Sequence, residues 1–191
     1  STYSGNEKER VHVPGATVKG VEATWAAIDA PYVVEETVHF RKDSFLTLAP
    51  GVTVKFAENQ GLIFRKSKLK ASGSAEEPIL LTGVREVAGF WRGLLLRETS
   101  SIDNVLEHVT VEYAGASQTF DGVQPAAVMF DNYHGPISVR IGHLAVKNSG
   151  AAALHIEKKV KLKSDDCSTV TLEAEPTVTE KSRPFEKVCG S

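Results

Sequence analysis

Apolar and polar residues alternate in short bursts along this chain, and the clearest burst is Leu46–Phe56. Leu46 and Leu48 flank Thr47, Pro50-Gly51 makes a turn, and Val52, Val54 and Phe56 then alternate with Thr53 and Lys55. Period-2 alternation rich in β-branched residues and bounded by turn residues predicts two half-buried strands. Similar units recur to about residue 172. Val11, Val13 and Val18 surround Pro14-Gly15, and Val34, Val38 and Phe40 precede the central stretch. Further strands are expected at 61–64, 68–71, 78–83, 91–96, 105–113, 127–130, 136–141, 143–148, 153–156, 160–163 and 170–172. The longest loop lies at 116–125. Thr24 could cap one helical turn that Pro31 would stop, a short lid over an open end of the core. No amphipathic run reaches helical length elsewhere, so the class is all-β.

A sandwich would fit strands of this spacing. Self-similar units favour a solenoid: Val-Thr-Val-Lys-Phe at 52–56, Val-Thr-Val-Glu-Tyr at 109–113 and Leu-Ala-Val-Lys-Asn at 144–148. His143–Gly150 parallels His108–Gly115 at a shift of 35. The expected organisation is a lead-in strand unit at 1–19, a parallel β-helix at 20–163 and a C-terminal cap at 164–191.

The order Thr24-Trp25, Pro31–Val34, Leu46–Phe56, Gly61–Phe64, Pro78–Thr82, Trp91–Leu94 and Leu106–Gly115 resembles the exported, surface-associated parallel β-helix repeat proteins of bacteria. The resemblance spans about residues 20–160. It implies a right-handed β-helix of the pectate-lyase kind and export to the cell surface or medium. Many such proteins have no assigned catalytic activity, so function stays open.

The chain has 191 residues, 41% of them apolar, and a net charge of -2. That charge makes no global case for nucleic acid or an anionic membrane. No apolar run is long enough for a membrane helix. The chain opens on polar Ser1–Arg10 and holds one methionine, Met129, which suggests the mature form or an excised piece of an exported protein. Cys167 and Cys189 both fall in the last 25 residues. A bridge between them would close a loop of about 20 residues, add roughly 3 kcal/mol and imply an oxidising compartment.

Candidate chemistry is sparse. Asp165-Asp166, Gly142-His143-Leu144 and Arg140-Ile141-Gly142 partly resemble the catalytic set of polygalacturonases, but in the wrong order. A lyase would need a carboxylate or cation cluster with a Lys or Arg base. Asp121, Asp131, His134, Arg140 and Lys147 could converge for that purpose, although solvated loop charges are the plainer reading. His108 and His143 hold equivalent repeat positions and could stack, and a stacked pair could bind metal. Repeat-position side chains on a solenoid face are the commoner outcome, and no cysteine–histidine spacing supports zinc. No Gly-rich phosphate loop, nucleophile elbow or dinucleotide fingerprint occurs, so no cofactor is expected.

For binding, the loop residues Phe120, Asp121, Asp131, Tyr133 and His134 are the candidates. Lys68 and Lys70 join them, sharing one outward face, as do Lys159, Lys161 and Lys163. Such a face suits anionic polysaccharide or lipid headgroups, although a solvated face that discourages edge pairing is the plainer reading. The leading expectation is a non-catalytic, exported structural or binding module that meets polysaccharide or a surface protein. A polysaccharide-cleaving enzyme near residues 116–147 and a self-associating adhesion protein are the alternatives.

Overall fold

The computed structural model describes residues 10–118, 120 and 122–174. Its strands come in rounds of three. The first round is β1 (Val11–Val13), β2 (Ala16–Lys19) and β3 (Glu22–Trp25), and the second is β4 (Tyr32–Val34), β5 (Val38–Arg41) and β6 (Phe45–Leu48). The third is β7 (Thr53–Phe56), β8 (Gly61–Arg65) and β9 (Lys68–Ser72). Next come β10 (Ile79–Gly83), β11 (Gly93–Arg97) and the long β12 (Ser100–Glu112), then β13 (Ala126–Asp131) and the long β14 (Ile137–Lys147). β15 (Ala152–Ile156), β16 (Val160–Lys163) and β17 (Thr171–Leu172) finish the series.

Each strand pairs in parallel with its counterpart in the neighbouring round. One ladder runs β1-β4-β7-β10 and continues through the second half of β12 and of β14 to β17. A second runs β2-β5-β8-β11-β13-β15. The third runs β3-β6-β9 through the first half of β12 and of β14 to β16. Because β12 and β14 pass from the third ladder into the first, those two merge into one 11-stranded sheet beside a 6-stranded one. The protein is all-β, and its parallel sheets curl toward one another. No helix among the described residues is long and apolar enough to cross a membrane.

Alternation explains the core. In β5, β6 and β7 every second residue points inward: Val38 and Phe40, Leu46 and Leu48, Val54 and Phe56 are all buried. Parallel register stacks like on like. Phe40 lies on Phe64 with ring centroids 4.7 Å apart, and Phe56 on Trp91 at 3.9 Å. Each such pair adds about 0.5–1.5 kcal/mol beyond its buried area. The Trp91 indole N–H donates to the Glu112 carbonyl at 2.8 Å, so this side chain is buried with its one donor satisfied. Gly93 has φ +114, and a Cβ there would stand 2.3 Å from the Ala127 carbonyl oxygen, so only glycine fits.

The β8, β11 and β13 strands are buried on both faces. Outside the main core, Ile63, Leu95 and Met129 form a second apolar cluster with Phe120, Val123 and Ala126. Phe120 and Val123 thus cover the outer face of the second ladder.

Two sequence expectations need correction or limits. The helical lid at Thr24–Pro31 is not present: Thr24 and Trp25 belong to β3, where Thr24 pairs with Thr47 and Trp25 with Leu48. Ladder pairing to β6 satisfies this backbone and overrides the local cap signal, and Trp25 stacks on Tyr32 at 5.0 Å. At the other end, the only helical piece among the described residues is a 3-10 turn at Cys167–Thr169. Cys189, the expected partner of Cys167, lies outside the described residues, as does most of the expected cap.

Candidate functional site

The second ladder ends in charge. Lys19, Arg41, Arg65, Arg97 and Asp131 stand in register at the ends of β2, β5, β8, β11 and β13. Four cations stacked at strand spacing repel one another unless anions are set among them. Two are. Asp131 pairs with Arg97 through the guanidinium Nε and Nη2, both side chains being almost wholly buried. Glu98, at the next corner with φ 54, reaches back to Arg65 at 3.0 Å. Burial pushes the Glu98 carboxyl up, but the Arg65 hydrogen bond and the charges of Arg65, Lys66 and His134 outweigh it and hold the group below its ordinary value.

The anchored Asp131 builds the loop beyond it. Its Oδ1 accepts the Tyr133 backbone N–H at 2.9 Å, and the Asn132 N–H donates to Glu157 at 2.9 Å. The Gly135 N–H closes the turn on the Asn132 carbonyl at 3.2 Å. Tyr133 is thereby held outward, 61% exposed, with its ring 5.2 Å from the Arg97 guanidinium and 3.8 Å from the His134 ring. Beneath the loop, His155 is buried beside Met129 in register. Burial lowers the tendency of His155 to take a proton, against the opposing pull of the Asp131 charge.

Two cavities flank this loop. One, of about 610 Å³, lies between residues 132–136 and Glu157, Lys158 and Lys159. The other, of about 510 Å³, is bordered by Lys66, Lys68, Glu98 and the 99–101 segment. They share His134, Gly135 and Pro136, so together they form one open groove over the loop. Lys66, Lys158 and Lys159 are exposed along it. Lys68 is drawn to Asp103 at 3.2 Å, which holds the Asp103 carboxyl below its ordinary value, and it lies over the Phe45 ring.

Of the residues named from the sequence, Tyr133, His134, Lys68 and Lys159 line this groove, while Asp131 is buried against Arg97 and anchors the loop. Lys70 is exposed on β9 between Thr47 and Val105 in register, away from the loop. Phe120 is 2% exposed and closes the outer apolar cluster, with Arg92 over its ring, so it anchors a loop and presents nothing to a ligand. Asp121 lies outside the described residues. Arg140 sits on the third ladder and Lys147 on the first, opposite Glu112. Arg97, Glu98 and Glu157 escaped the sequence reading. A signal existed: an apolar residue followed by two charged ones closes β5, β8 and β11 (Phe40-Arg41-Lys42, Phe64-Arg65-Lys66, Leu96-Arg97-Glu98).

On the corner between the third and first ladders, His108 and His143 stack with ring centroids 4.1 Å apart and planes 8° from parallel. Their shared repeat position brings them together.

Comparison with known proteins gives no relative: no family model, no curated protein and no solved structure matches the chain.

Proposed function

We propose that the chain is a right-handed parallel β-helix module of an exported, surface-associated protein, and that it binds acidic polysaccharide without cleaving it. The groove over residues 132–136 is the binding site. One observation carries this reading: an exposed tyrosine, braced by Arg97 and His134, lines the first of two adjoining cavities, which are bordered by Lys158 and Lys159 and by Lys66 and Lys68. Sugar rings stack on exposed aromatic faces, and ammonium groups on flexible stems suit the carboxylates of an acidic polymer. Three ladders of parallel strands, each joining corresponding segments of successive rounds, support the β-helix.

The non-catalytic reading rests on Asp131, whose carboxylate is buried against Arg97 and caps the Tyr133 amide, which leaves it unsuited to proton transfer at a substrate. The test mixes the protein with acidic and neutral polysaccharides and follows co-sedimentation and polymer length together. Co-sedimentation of acidic polymers at unchanged length is expected. Shortened polymer would overturn the non-catalytic reading, and equal capture of neutral polymers would overturn the role of the lysines.

A further inference from the structure

The corner that carries the stacked histidines also carries a carboxylate. Glu107 Oε1 lies 2.8 Å from Nδ1 of His143 and 3.8 Å from Nε2 of His108. One ligand atom from each of the three residues falls within 4.8 Å of the other two. The backbone makes this convergence. His108 and His143 both turn the corner in the left-handed region, at φ 49 and 45, so successive rounds project their imidazoles in the same direction. Glu107 pairs in register with Gly142. A Cβ on that glycine would stand 2.4 Å from Glu107 Oε2, so the missing side chain is what lets the carboxylate lie across the neighbouring strand and reach His143. The His143 backbone N–H donates to Thr169 Oγ1 at 3.0 Å, which fixes that side of the corner.

We propose that Glu107, His108 and His143 form a binding site for a divalent transition-metal ion of the zinc class, independent of the polysaccharide groove. Two imidazoles and a carboxylate are the donor set of an open zinc site, and imidazole nitrogen disfavours magnesium and calcium. Ligation at about 2.0–2.2 Å draws the three atoms inward and opens the two ring planes from their near-parallel stack. A neighbouring cavity of about 90 Å³, lined by Glu107, Gly142, His143 and Asp166 among others, leaves space for water in the remaining positions. The ion would tie β12 to β14, so it acts as a clip between adjacent rounds.

The experiment titrates untagged, chelator-treated protein with zinc chloride, and in parallel with magnesium and calcium chloride. One zinc ion per chain, a raised Tm in zinc and no response to magnesium or calcium are expected. His108→Asn and His143→Asn keep a residue type that tolerates positive φ, and so keep the corner. Each should weaken zinc binding at least about tenfold, judged against the loss that even indirect partners of a metal cause. Glu107→Gln should weaken it in the same direction, while His12→Asn should leave it unchanged. Absence of stoichiometric zinc binding, or undiminished affinity in the folded His108→Asn/His143→Asn double variant, would overturn the proposal.

Discussion

Replacing Asp131 with alanine would leave the Arg97 guanidinium buried without the carboxylate that neutralises it. The two side chains are only 6% and 4% exposed, and arginine cannot shed its charge to escape. Removing one partner of a buried ion pair costs about 3–5 kcal/mol, more than the pair itself contributes, because the remaining charge is stranded. The Tyr133 N–H loses its acceptor as well, which adds to the cost. At about 2–4 °C per kcal/mol for a chain of this size, Tm should fall by roughly 6–20 °C. Replacing both partners, as Arg97→Met with Asp131→Leu, removes the stranded charge and should restore most of that stability. It would not restore the Tyr133 turn, so polysaccharide binding should stay weak in the double variant. Urea unfolding followed by circular dichroism measures all three proteins. A loss under about 1 kcal/mol for Asp131→Ala, at an unchanged denaturant slope, would refute the reasoning, since it would mean that the Arg97 charge is satisfied without Asp131.

Asn104 is fully buried, where it accepts from the Leu69 N–H at 3.2 Å and donates to Thr99 and to the Ser138 carbonyl. It joins β9, β12 and β14 beside the irregularity between Ser100 and Val105. Asn104→Ala should therefore cost about 2–4 kcal/mol in urea unfolding, through several unsatisfied buried groups at once. Phe120→Ala should cost about 3–5 kcal/mol by opening the outer cluster, and titration calorimetry should find polysaccharide affinity little changed in any fraction that remains folded. His155 gives a pH dependence. Its folded value lies below the ordinary 6.5 because of burial, so the unfolded chain takes up the proton first. Stability is full above the ordinary 6.5, declines as pH falls from there toward the lower folded value and levels off beyond it, and His155→Leu should flatten this part of a Tm-against-pH profile.

The strands were legible because a parallel ladder repeats the same short alternation, and Val52–Phe56, Val109–Tyr113 and Leu144–Asn148 announce their equivalence. The histidine stack was legible for the same reason. Thr24–Pro31 misled because a threonine cap and a proline stop mimic a helical turn, whereas the ladder partner that decides the matter, β6, lies a full round away. The Arg97–Asp131 pair was hidden in a similar way: its members are 34 residues apart and meet only through register. Phe120 resembled an exposed loop aromatic. The unbroken apolar runs Leu94–Leu96 and Ala126–Phe130, buried on both faces, were the sign that something must cover their outer side.

The most direct test is calorimetric titration of an acidic oligosaccharide into the wild-type protein, Tyr133→Ala and the triple variant Lys66→Glu/Lys158→Glu/Lys159→Glu, with product length checked afterwards. The groove account expects binding that weakens with salt, falls up to about tenfold without the tyrosine ring and is lost on charge reversal, with the oligosaccharide intact. Equal affinity in all three folded proteins, or a shortened oligosaccharide, would contradict it.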